Sequence, residues 1–193
     1  MALAPAAIGA IVIDLPDITV FGDNVVPTSG TLEVALSLTG ADLATPPPAS
    51  SFNLDFSTDG SGLSFAAAQP ATTSPLFTGG FFGDYGTSTN VRALHEIIPS
   101  SVPMFNGAGL LKIPFTIAAG NIGTTYHLNF GPLNEFTYTS GTTVTTYPLT
   151  LIGGSISVTS VPEVVGWKQL VVATSLCGLG FVVVKLRRRT ALA

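Results

Sequence analysis

Charge is scarce in this 193-residue chain: 9% of residues are charged, against the ~25% usual for soluble domains. Basic residues are the rarest. Only Arg92 and Lys112 fall within residues 1–160, against ten carboxylates, a net of −8. A surface of that sign repels phosphate backbones and argues against nucleic acid as a partner. The only cysteine is Cys177, so no disulfide forms within one chain and a folded domain rests on its core alone. The only tryptophan, Trp167, also lies near the C-terminus. Catalytic motifs are missing too. No Gly-x-Ser-x-Gly elbow and no phosphate loop occurs. His95-Glu96 begins like a zinc-protease helix, but Pro99 stands where the second histidine belongs. Serine and aspartate abound, so only the folded arrangement decides whether a pair stands beside His95 or His127. No enzyme and no cofactor is expected.

Helical periodicity is absent from residues 10–160, and what remains is β. Thr31 to Leu38 alternates, with Leu32, Val34, Leu36 and Leu38 on one face and Glu33, Ala35 and Ser37 on the other. Period two with one polar face means a half-buried antiparallel strand. Phe52, Leu54 and Phe56 share a face in the same way; so do Leu111, Ile113, Phe115 and Ile117, then Tyr126, Leu128 and Phe130. Pro114 suggests a sheet edge or a bulge there, since proline gives the ladder no N–H. Shorter runs at Ile11–Ile13, Ile18–Phe21, Leu63–Phe65, Val91–Ile98, Phe136–Tyr138, Val144–Tyr147, Leu149–Ile152 and Ile156–Val158 complete the set. These runs, read as nine or so short strands with some runs joined, and with frequent turns between them, predict an all-β antiparallel sandwich. Its expected core is Leu32, Val34, Leu36, Phe52, Leu54, Phe56, Ile113, Phe115, Leu128 and Ile156. Gly40 to Ser51, with Pro46-Pro47-Pro48, and Pro99 to Ala108 read as loops; Gln69 to Asn90 reads as the longest irregular stretch.

Two local patterns are candidate sites. Asp55-Phe56-Ser57-Thr58-Asp59-Gly60 matches the opening of a calcium loop, with oxygens of Asp55, Ser57 and Asp59 at alternate positions. Position twelve is Ala66 rather than glutamate, and a strand end followed by an Asp-Gly turn is the preferred reading. Gly79-Gly80-Phe81-Phe82-Gly83-Asp84-Tyr85-Gly86 sets Phe81, Phe82 and Tyr85 among glycines and a carboxylate, a platform on which sugar rings could stack. The plainer expectation is that these rings fold back and plug the end of the sandwich.

The strand order resembles a cohesin-type β-sandwich, a fold shared with several carbohydrate-binding modules. The carrying residues are Phe52 to Ser57 with Leu63 to Phe65, then Gly109 to Ile117, and the closing Gly154-Ser155-Ile156-Ser157-Val158. A generic jelly roll or Ig-like sandwich stays open beside it.

The last thirty-three residues differ in kind. Val161-Pro162-Glu163 precedes an apolar run from Val164 to Val184, long enough for one transmembrane helix at ~20 residues per crossing. Lys168 and Gln169 lie where long side chains snorkel, with Trp167 beside them at the interface. Lys185, Arg187, Arg188 and Arg189 follow and place the tail in the cytoplasm, with residues 1–160 outside. Motif, helix and arginine cluster together resemble the PEP-CTERM sorting signal of exported bacterial proteins. That resemblance implies cleavage near Val161, Pro162 and Glu163 by a membrane-embedded cysteine protease, an exosortase; the usual third-position proline is replaced by Val164. Residues 1–9 read as a leader or its remnant: Met1 to Ile13 is apolar without Lys or Arg, and Ala2-Leu3-Ala4 resembles a cleavage site. The domain reading is therefore leader 1–9, extracytoplasmic sandwich 10–160 and sorting signal 161–193. The functional expectation is an exported, surface-sorted structural or adhesive protein whose partners are the membrane, the sorting protease and envelope or matrix polysaccharide. Its alternatives are a displayed carbohydrate-binding module and a single-pass protein left unprocessed.

Overall fold

The computed structural model describes residues 10–40 and 45–161. Within them the strands run β1 (Ile11–Asp14), β2 (Asp17–Gly22), β3 (Thr28–Leu38), β4 (Pro48–Ala49), β5 (Ser51–Thr58), β6 (Leu63–Phe65), β7 (Gln69–Pro70), β8 (Phe81–Asp84), β9 (Asn90–Glu96), β10 (Val102–Pro103), β11 (Gly109–Ile117), β12 (Thr125–Phe130), β13 (Glu135–Ser140), β14 (Thr143–Thr146), β15 (Leu149–Ile152) and β16 (Gly154–Ser160). One sheet has the order β15-β1-β3-β11-β6, with β7 also on β11. The second has the order β14-β13-β5-β12-β16-β2, and β9 then β8 extend it from the opposite edge of β5. β4 and β10 form a two-stranded ribbon. All ten expected core residues are buried, at most 2% exposed, which fixes the registers read from alternation. Phe52 stacks between Phe77 and Phe136, with centroids 5.7 and 5.5 Å away.

Four expectations are corrected. The sandwich is not wholly antiparallel: β1 pairs β15 and β2 pairs β16 in parallel. Both chain ends change sheets at the same point, β1 to β2 through Leu15-Pro16 and β15 to β16 through Gly153, so they run side by side. Leu15 N–H donates to Ile152 O (3.0 Å) at that crossing. Second, β11 is interior, with β3 along one side and β6 and β7 along the other. Pro114 fits because its carbonyl accepts from Ala66 N–H (2.8 Å) on the β6 side. Its missing donor points the same way, into the break between β6 and β7, and the β3 ladder loses nothing. The bulge lies earlier, between Gly109 and Leu111. Third, 69–90 is not one irregular stretch, since it contains β7 and β8. Fourth, the two shorter expected loops hold β4 and β10. The Pro-rich segment 46–48 enters only that two-stranded ribbon, as a donor-poor segment should.

Candidate functional site

The aromatic cluster is divided by strand geometry. β8 pairs with β9 so that Phe81 faces Glu96 and Phe82 faces His95. Successive side chains on a strand point to opposite faces. Phe82 therefore turns inward, edge-on to His95 (5.4 Å, 90°), and packs against the core. Phe81 and Tyr85 turn outward, 52% and 55% exposed. Phe82 thus folds back as a plug, while Phe81 and Tyr85 stay exposed.

His95 is the pivot of the inner side. It is buried among Phe52, Phe77 and Phe82, and its Nε2 lies 2.9 Å from Gly79 O. A carbonyl only accepts, so Nε2 carries the proton. Burial holds its pKa below the usual 6.5, partly opposed by that hydrogen bond. A cleft of about 330 Å³ opens beside it between the edges of the two sheets, lined by Pro70, Pro75, Phe77 and Phe82 among others.

On the outer face of β8, β9 and β5, Phe81, Tyr85, Arg92, Leu94 and Asn53 lie on one side of the sheet. Tyr85 lies over Gly83, in the space a side chain would fill. A shallow cavity of about 270 Å³ is bounded by Asn53, Tyr85, Arg92 and Leu94. Arg92, Leu94 and Asn53 were not singled out from sequence, although period two over the 91–98 run sets Arg92 and Leu94 on one side, opposite the buried Val91, Ala93 and His95.

The calcium candidates do not converge. Asp55 and Ser57 sit on extended β5, and Asp59 lies beyond its end. The Asp55 Oδ1 accepts from Asn90 Nδ2 (2.8 Å), and the Asp59 Oδ1 accepts from His127 N–H (2.9 Å). Among the described residues, no group of three or more His, Cys, Asp or Glu is placed to hold a metal ion. Serine, histidine and aspartate do meet where His127 faces Ser155 and Ser155 faces Asp17. Here Ser155 Oγ donates to Asp17 Oδ1 (2.7 Å). A carboxylate rather than an imidazole holds the hydroxyl, which is not the arrangement that activates a serine nucleophile.

Val161 is exposed. Pro162, Glu163, the run Val164–Val184, Lys185, Arg187, Arg188, Arg189 and the leader 1–9 lie outside the described residues. Among the described residues, no helix is long and apolar enough to cross a membrane.

With this geometry in view, the likeness to solved structures is specific. The fold is that of cohesins. The seventh ScaB type I cohesin from Pseudobacteroides cellulosolvens matches with a TM-score of 0.61 at 13% identity, over 80% of this chain and 96% of that one. The sixth cohesin of Acetivibrio cellulolyticus scaffoldin B, in complex with the Cel5 dockerin, matches at 0.59 and 14%, over 78% and 98%. A non-cellulosomal cohesin from the archaeon Archaeoglobus fulgidus matches at 0.53 and 13%, over 81% and 95%. No family model and no curated protein sequence matches this chain. At such identities the likeness is one of fold.

Proposed function

We propose that the sandwich is a non-enzymatic docking module, exported and held at the cell envelope, that binds a protein partner through the outer face of β8, β9 and β5. The observation that carries this is the match to cohesins over almost their whole length, some of them solved with a dockerin seated on them. The face has suitable chemistry. Two exposed aromatics beside an arginine are residue types enriched at protein interfaces. Arg92 is one of only two cations in an otherwise acidic domain, so it would orient an acidic partner group.

The tail supplies the address in this reading. Residues 164–184 cross the membrane, the basic cluster stays inside, and Val161-Pro162-Glu163 is the segment a sorting protease of the exosortase kind reads. Protease added to intact spheroplasts is then expected to degrade the sandwich. Its survival until lysis would reverse the orientation.

A glycan is the second reading, favoured by the 55% exposed Tyr85 held over Gly83. One experiment separates the two. The full chain in detergent is titrated calorimetrically with a panel of dockerin modules and run through polysaccharide affinity gels, alongside Phe81→Ala/Tyr85→Ala. Dockerin binding that weakens about tenfold or more in the variant, ~1.4 kcal/mol, supports the protein-docking reading. Retardation by a polysaccharide, lost in the variant, replaces the protein partner with a sugar. Binding to neither overturns a docking role for this face.

A further inference from the structure

The turn between β2 and β3, residues 23–27, is unlike the polar turns expected on an exposed tip. Val25 is 83% exposed and Val26 59%, with Phe21 at 57% just before them. The one charge in the turn, the exposed Asp23, caps its backbone. Asp23 Oδ1 accepts from the N–H groups of Val25 (2.6 Å) and Val26 (3.3 Å), and Thr28 Oγ1 closes the base on Phe21 O (3.1 Å). The turn is thus held in one shape with two adjacent apolar side chains outward, and clustered rather than single exposed apolar residues are the ones that mark contact surfaces.

Its position gives it a partner. Gly22, the last residue of β2, pairs with Ser160, the last of β16, so the chain leaves the sandwich at this same end. The 118–124 turn is there too, with Gly120 N–H donating to Asp23 O (3.1 Å). Only three residues separate Ser160 from the apolar run at Val164, a reach of at most about 14 Å. The headgroup layer is itself about 5–8 Å thick on each side. The 23–27 turn projects beyond Gly22, further along the direction in which the sandwich ends. Arg92 and Lys112, the domain's cations, sit in β9 and β11 rather than in these turns.

We propose that this tip is a lipid-contact surface: Phe21, Val25 and Val26 seat in the headgroup layer of the bilayer and hold the sandwich against it. The partner is the neutral interface rather than anionic headgroups, because no cation accompanies the apolar side chains. This rests on the reading that 164–184 spans the membrane, and the test separates the two.

The full chain is reconstituted in phosphatidylcholine vesicles carrying nitroxide lipids at headgroup or deep acyl positions. An environment-sensitive fluorophore is placed on native Cys177, or, with Cys177→Ser, on Val25→Cys or on Thr143→Cys at the opposite end of the sandwich. The expected result is deep-nitroxide quenching at Cys177, a blue shift with headgroup-nitroxide quenching at Val25, and a water-like signal at Thr143. Adding anionic lipid leaves the Val25 signal unchanged. Deep quenching at Cys177 with a water-like Val25 overturns the lipid-contact tip and leaves the anchor standing. Absence of quenching at Cys177 overturns both.

Discussion

At the scale of single residues, the side chains that hold the sandwich together are polar as well as apolar. β5 is paired by β13 at Ser51–Asn53 and by β12 at Phe56–Thr58, which leaves Asp55 between two partners. Asn134 fills the gap with its carboxamide: Oδ1 accepts from Asp55 N–H (2.8 Å), while Nδ2 donates to Asp55 O (3.1 Å) and Gly131 O (2.7 Å). Asn134→Ala strips a partner from a buried N–H and is expected to cost about 1–3 kcal/mol in urea unfolding; an unchanged midpoint would show that water replaces the amide. His95 gives a pH prediction. Its folded pKa is lowered by burial, so above about 6.5 both folded and unfolded chains carry it neutral and it costs nothing. As pH falls below 6.5 the unfolded chain takes up the proton and the folded one resists, so stability declines until the folded pKa is passed. Unfolding midpoints should drop between pH 7.5 and 5.5, and His95→Gln, compared with its own value at pH 7.5, should flatten that slope. An equal slope in the variant would place the titrating group elsewhere. Neither role was legible in the sequence, because a histidine on an alternating strand and an asparagine in a loop declare no partner until the sheet is assembled.

Among the elements, legibility followed burial. β3, β5, β11 and β12 each bury one face, so period two wrote their registers into the sequence, and every core residue expected from it is inside. β8 was hidden because its sequence, Phe-Phe-Gly-Asp, mixes an inward ring, an outward ring and a glycine at a sheet edge where no face is fully covered. Edge strands carry little pattern of their own. Pro114 misled for a related reason: proline marks a missing donor, and the break between β6 and β7 provides an unpaired position inside the sheet. The β3–β11 pairing shows how tight the interior is. Phe115 lies opposite Gly30, and a methyl group at Gly30 would overlap its ring. Phe115→Ala is expected to cost about 3–5 kcal/mol, as for other buried aromatics. Gly30→Ala should cost about 1–3 kcal/mol by overpacking. The pair should be non-additive, with Gly30→Ala milder when Phe115 is already alanine. Strict additivity in the double-mutant cycle would mean that the ring moves aside freely.

For the molecule as a whole, the two ends of the sandwich are laid together, β1 beside β15 and β2 beside β16, and this closure was the topological feature that periodicity could not show. Alternation tells which face a strand buries, not which neighbour it takes or in which direction. The crossing is close-packed: a side chain at Gly154 would run into the backbone of Leu15 and Pro16. The same closure sets the C-terminal boundary of the sandwich. The last ladder position is Ser160 opposite Gly22, and β16 delivers Ile156 and Val158 to the core. The ladder pairs and core residues of β16 therefore end two residues before Pro162. Cutting the chain at residues 160–164 is expected to leave the unfolding free energy of the sandwich within about 0.5 kcal/mol, since β16 and its ladder pairs stay intact. Cutting at Gly153 removes β16, strips β2 of its partner and should abolish folding. If sorting occurs, mass spectrometry of the mature protein from cells with an active exosortase finds a C-terminus near 160–164 on a domain as stable as its precursor. A chain still ending at Ala193 in those cells means that Val164 has broken the motif and that the tail is an anchor only.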